Sequence, residues 1–198
     1  MKKVEINNPK NDDLIQQFGI LYSTFTNVSE NEAVQFDFSK TRWLYPVIAL
    51  PIAAYITKTD STFIPSENEQ TREYLDTMYF PKGVNSVNEF EKYVQQTKTY
   101  VPISVLDRHK GAERENLESM FSSLIYRLLG SGAGAQNAVY YPVTELVTNI
   151  FEHSKDDAGF LFGQYYSKKE YLDICIVDMG RGLAKAYKDE VGLELTDG

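Results

Sequence analysis

Glu145, Asn149 and His153 recur every fourth residue within TELVTNIFEHS, Thr144 to Ser154. On a helix turning about 100° per residue they fall at roughly 0°, 40° and 80°. Val143, Leu146, Val147, Ile150 and Phe151 fill the arc from roughly 100° to 240°, so the polar stripe flanks the apolar face, where a helix lining a cleft carries its working groups. Asn suits a helix interior poorly, because its side chain competes for backbone hydrogen bonds. It is easier to understand there if its carboxamide oxygen ligates a hard cation. Mg²⁺ takes oxygen ligands, keeps several waters, and is held through few protein groups plus phosphates. Glu145, about 6 Å along the axis, could then polarise a water beside that metal. The same trio also fits a solvated rim of a surface helix, and for Glu145 alone that reading is the stronger.

A second candidate is DMGRG, Asp178 to Gly182. It follows a segment with Leu172, Ile174 and Ile176 on one face and Cys175 and Val177 on the other, the pattern of a strand buried on both faces. A carboxylate at the end of such a strand is costly without a partner, and the glycines allow close backbone approach or positive φ. Alone, the motif fits an ordinary turn with a solvated Asp equally well. GSGAGA, Gly130 to Ala135, matches the loose letters of a dinucleotide fingerprint. That fingerprint needs a strand before it, and here a long amphipathic helix precedes it. It reads as a linker.

The elements that must position these groups follow from periodicity. The second half reads as a helix over AERENLESMFSSLIYRLLG, with Leu117, Phe121, Leu124, Ile125 and Leu128 on one face and Gly130 as C-cap. A helix from about Gln136 to His153 comes next, then strands FLFGQYY and YLDICIV joined by SKKE as an antiparallel hairpin. In the first half, KVEI and AVQFDFS read as strands and NDDLIQQFGILYSTF as a helix. YPVIALPIAAYI reads as a helix bent at Pro51. Residues 58–71 read as a loop, REYLDTMYF as a short helix, PKGVNS as a turn, and YVPISVLD as a strand. The class expected is α+β: a small α/β domain over residues 1–100, then a two-layer α/β sandwich over 101–198.

Composition narrows the partners. The 198 residues are 42% hydrophobic and carry a formal charge of −8, which is globular and argues against nucleic acid, whose backbone is bound by clustered Lys and Arg. The one cysteine, Cys175, has no disulfide or zinc companion, as suits a reducing compartment. The longest apolar run, LYPVIALPIAAYI, has 13 residues and two prolines, short of the roughly 20 of a membrane span. MKKVEINNPKNDD has no apolar core of a secretion signal. A cytoplasmic protein without a membrane segment is expected.

ELVTNIFEHS resembles the N box of the GHKL ATPases (gyrase, heat-shock chaperone, histidine kinase, MutL), and DMGRG resembles their first glycine box. The order fits too: N-box helix, hairpin, then Asp–Gly turn. The resemblance covers about residue 112 to the end and implies a Bergerat-type fold that binds ATP with Mg²⁺. It implies that Asn149 holds Mg²⁺ against the phosphates and that Glu145 is the general base. By the same resemblance Asp178 accepts a hydrogen bond from the adenine amino group, and Gly180 and Gly182 let base and ribose lie against the chain. Met179 would pack near the base and His153 near the phosphates, although a surface role fits His153 as well.

The first half resembles, more loosely, a STAS-like module through VQFDFSKTRWLYPVIALPIAAYI. Ser39 would then stand where relatives carry a regulatory serine, while the residues alone suggest a turn serine. The family's flexible lid would begin at LAKAYKDEVGLELTDG, and no second glycine box is matched before Gly198. The resemblance thus implies either a longer parent protein or an incomplete site. No phosphoacceptor box is found, His109 in LDRHKGAE included, so a complete sensor histidine kinase is not expected. Three functions stay open: an ATPase switch, a protein kinase of the anti-sigma type acting on a protein partner, and a non-catalytic sensor or interaction domain. A protein partner or a homodimer is expected.

Overall fold

The computed structural model describes residues 1–11, 13–94, 99–129, 135–182, 185, 188 and 189. The chain divides into two compact units, Met1–Gly83 and Val84–Gly198, and its described residues mix helices with two small sheets.

The first unit runs β1 (Lys2–Glu5), α1 (Leu14–Phe25), β2 (Val34–Asp37), α2 (Pro46–Lys58), β3 (Thr62–Ile64), α3 (Glu69–Thr77). Its strands lie in the order β1-β2-β3, all parallel, with Val4 beside Phe36 and Phe36 beside Phe63. α2 starts on Pro46, where a helix needs no N–H, and continues through Pro51. Ile48, Ala49, Leu50, Ile52, Ala53 and Ala54 are fully buried with Phe36 and Phe38, so α2 is the core helix of this unit. Asn68 caps α3 by accepting from Thr71 N.

Two features depart from expectation. The loop expected over 58–71 contains β3, three residues that are a strand because they pair with β2. α1 inverts the usual pattern: Gln17 and Thr24 are buried, while Ile15, Phe18 and Tyr22 are exposed.

Asp37 closes β2 as a buried carboxylate 2.6 Å from Lys3 Nζ, and its Oδ1 accepts from Ser39 N at 2.8 Å. Lys3 first, then the Ser39 N–H, hold the Asp37 carboxyl down at about 2 against the cost of burial. A carboxylate held low only in the folded state stabilises fully above about pH 4 and loses that contribution as pH falls toward about 2. The melting temperature of the first unit should therefore drop between about pH 4.5 and 2.5, and drop less in Asp37→Asn. Circular dichroism melts across that range check this. Equal acid slopes in the two proteins would assign the loss to other carboxylates.

The second unit runs α4 (Val87–Tyr93), β4 (Tyr100–Asp107), α5 (Gly111–Leu129), α6 (Ala135–Asn149), a π turn (Ile150–Ser154), β5 (Ala158–Tyr166), β6 (Tyr171–Asp178). The units divide at 83/84, ahead of the expected boundary near residue 100, because α4 packs with α5 and β4 and Val84 bridges to Ser104 of β4. Ser86 caps α4 by accepting from Glu89 N, and Glu89 Oε2 accepts in return from Asn85 N, a reciprocal cap written in the sequence as S-x-x-E. Residues 130–134, with the expected Gly130 cap and most of GSGAGA, lie outside the described residues.

The sheet order is β4-β5-β6, antiparallel throughout. The expected face of α5 is buried at Leu117, Phe121, Leu124 and Ile125. A methyl on Gly163 would meet Ile125 and Phe121, and one on Gly159 would meet Ile150, so the helices cover that face of β5. Residues directly opposite in an antiparallel pair share a face. Gly163 pairs with Ile174 and Gly159 with Asp178, which places Ile174, Ile176 and Asp178 on the helix side. Phe160 and Phe162 are fully buried on the other. The strand buried on both faces is thus β5, the central one. β6, expected in that role, lies at the edge of the described sheet and is half-buried. On its far face, burial, with a smaller contribution from Asp173, pushes the Cys175 thiol up to about 12, so it is unreactive near neutrality. Among the described residues no helix is long and apolar enough to cross a membrane.

Candidate functional site

α6 buries Val143 and Val147, and the π turn buries Ile150, while Glu145, Leu146, Thr148 and Asn149 are exposed. The apolar arc is narrower than the wheel suggested, since Leu146 is 50% exposed and Phe151 half-buried. Glu145 and Asn149 therefore share the solvent side of α6 and do not border its buried face. They remain one turn apart on one stripe. His153 leaves that stripe: residues 150–154 close as a π turn, over five residues instead of four, which rotates every side chain beyond Asn149.

The π turn ends on Lys155 in the left-handed conformation, φ 59°. Its shape is fixed locally. Ser154 Oγ donates to Ile150 O at 2.6 Å and accepts from Asp156 N at 3.1 Å. On the flank, the Arg114 guanidinium lies 4.5 Å and that of Arg108 5.4 Å from the Phe151 ring centre, within cation–π range. His109 is exposed and its Nε2 lies 3.5 Å from Asp157 Oδ1.

The Asp178–Gly182 turn is docked against this helix end. Met179 N donates to Asp156 Oδ2 at 2.7 Å, and Arg181 N donates to Ser154 O at 3.0 Å. Arg181 Nε donates to His153 O at 2.6 Å. Asp156 is nearly buried, and its Oδ1 accepts from Asp157 N at 2.7 Å. Gly180 needs to be glycine for space: a Cβ there would lie 2.6 Å from Ser154 Cβ and 2.8 Å from its Oγ, and closer still to the Ser154 carbonyl oxygen. Gly182 needs to be glycine for conformation, with φ 74°.

Asp178 is exposed at the strand end, and its Oδ1 accepts from Gly180 N at 2.9 Å. One carboxylate oxygen thus shapes the turn, and the other remains an acceptor for a ligand N–H. Met179 is 39% exposed, a large apolar surface beside that carboxylate.

The residues singled out by sequence thus fall into two groups. His153, Asp178, Met179, Gly180 and Gly182 belong to one hydrogen-bonded junction. Glu145 and Asn149 stand on the exposed side of the helix that leads into it, and the bonds joining the two motifs start beyond Asn149. Three junction residues were not anticipated: Ser154, Asp156 and Arg181. The available signal was a buried-type Asp two residues after a helix-ending Ser, and an arginine set between two glycines. Among the described residues no group of three or more His, Cys, Asp or Glu is arranged to hold a metal. Comparison with protein-family models, with curated proteins and with solved structures found no match.

Proposed function

We propose that the second unit is an ATP-binding module of the GHKL class with a Bergerat-type fold, and that the parallel β1-β2-β3 unit before it is STAS-like. One observation supports this above the others: the Asp–Gly turn at the end of β6 is stitched onto the turn that ends the Asn149 helix. Two motifs separated by a hairpin in sequence thereby meet, through residues 153–156 on one side and 179–181 on the other. Asp178 lies on the helix side of the sheet by register, where its free oxygen can accept from an adenine amino group. Met179 offers apolar area for the base. Asn149 would hold Mg²⁺, which supplies charge neutralisation of the phosphates. Glu145, one turn earlier on the same exposed side, would take a proton from water. In this reading the protein uses ATP as a conformational switch, or passes the phosphoryl group to a protein partner.

Calorimetry of Mg²⁺-ATP on this chain tests the reading. Asn149→Ala should abolish Mg²⁺-dependent binding, and Glu145→Ala should bind normally and lose turnover. Asp178→Ala should weaken ATP about 10- to 100-fold, as expected for losing a hydrogen bond to a charged group. Equal affinity in Asp178→Ala and wild type would remove the adenine assignment. No binding would leave a non-catalytic interaction domain. Label reaching a second protein with little phosphate release would select the kinase.

A further inference from the structure

The sequence of the glycine turn contains a cation that the proposed chemistry does not use. Arg181 sits between Gly180 and Gly182 on the surface of the fold, yet its side chain is only 6% exposed. Its Nε donates to His153 O at 2.6 Å, and its backbone N donates to Ser154 O at 3.0 Å. Its Nη1 reaches Asp189 Oδ2 at 2.8 Å. One guanidinium thus joins three pieces of chain: the end of the π turn, the glycine turn, and the stretch that follows Gly182. The first contact is favourable twice over, since carbonyls at a helix C-terminus carry partial negative charge and lack intrahelical donors. The second is charge-assisted, and Arg181 holds the Asp189 carboxyl below its usual range, chiefly through that hydrogen bond. A planar fork with fixed N–H directions can serve a carbonyl on one side and a carboxylate on another. A lysine ammonium is a point charge and cannot hold both directions.

We infer that Arg181 is a positioning residue for the nucleotide pocket: it clamps the Asp189 carboxylate to the end of the π turn, and so holds the glycine turn in its binding shape. The inference rests on the nucleotide reading above for its effect on ATP, though the clamp itself does not. Because Arg181 acts through the turn and not on the reacting atoms, its loss should alter affinity and leave the maximal rate alone. Its loss should also release Asp189, near which in sequence Lys185 and Lys188 are exposed.

The test uses the full chain with Arg181→Lys and Asp189→Asn, read out by Lys-specific limited proteolysis and by Mg²⁺-ATP affinity and turnover. Cleavage at Lys185 and Lys188 should accelerate at least about five-fold in both variants while the melting temperature stays near wild type, because local opening is sampled without global unfolding. ATP affinity should fall about 10-fold in Arg181→Lys and about 3-fold in Asp189→Asn, with turnover at saturating ATP unchanged. Wild-type cleavage rates in both variants would overturn the clamp. Accelerated cleavage with unchanged ATP affinity would overturn the positioning role. A wild-type chain that binds no ATP would instead remove the nucleotide reading, and with it the pocket that Arg181 is said to serve.

Discussion

Gly180→Ala should cost on the order of 2–3 kcal/mol of second-unit stability, at the upper end of what overpacking a tight contact does. The methyl would enter space held by Ser154, whose Cβ and Oγ stand at 2.6 and 2.8 Å and whose carbonyl oxygen is nearer still. A flexible side-chain tip could swing away, but that carbonyl already accepts from Arg181 N. The turn must therefore lift off the helix end, releasing the Met179 N–Asp156 bond as it goes. A thermal melt should show the loss as a fall of roughly 10 °C in the transition of that unit. Nucleotide affinity, if the pocket is as proposed, should fall more than 10-fold. Gly182→Ala is the useful comparison, since its left-handed φ of 74° should itself cost about 1 kcal/mol. A Gly180→Ala protein that melts like wild type would show that the two turns do not meet as closely as described.

Asp156→Ala should be comparably severe, about 3 kcal/mol, for a different reason. Its carboxylate is 7% exposed and accepts from Asp157 N on one oxygen and from Met179 N on the other, each at 2.7 Å. Truncation leaves two backbone donors short of partners, and an unsatisfied buried donor costs about 1–3 kcal/mol. Asp156→Asn keeps one acceptor oxygen and should recover about half of the loss. Urea unfolding, with the midpoint lowered and the slope unchanged, is the measurement. Equal midpoints for Ala and Asn would show that the two bonds do not act separately.

How much of this was legible in the sequence depends on the range of the interactions concerned. The α5 core face at Leu117, Phe121, Leu124 and Ile125 and the β5–β6 hairpin are set by local periodicity and a short turn, and both are as expected. β3 depends on a partner: Thr62–Ile64 is a strand only because β2 lies beside it, and three residues set in an otherwise polar stretch do not declare that. Leu146 shows the opposite error, an apolar residue placed on the core face by its angle and then left in solvent.

The π turn escaped because five-residue closure has no pattern distinct from an α-helix until the chain meets its neighbours. Here those are Gly159 beneath Ile150 and the arginines flanking Phe151. Asp178 and the two glycines were identifiable as a special turn. What the turn leans on was not, because the partners of Ser154 and Asp156 come from across the hairpin, and residue type alone does not encode which distant group a residue meets.

The two sheets also imply different histories for the two halves of the chain. In the first unit every strand pairing must bridge a crossover of about thirty residues, so order there is gained late, after the entropy of large loops has been lost. The hairpin that presents Asp178 closes across Ser167–Glu170 and can zip within microseconds. Each pair that forms draws the residues beside Ala158 and Asp178 closer, until Asp156 captures the Met179 amide. The corner of the proposed pocket thus hangs on a four-residue turn, whereas each parallel pairing of the first unit spans a long crossover.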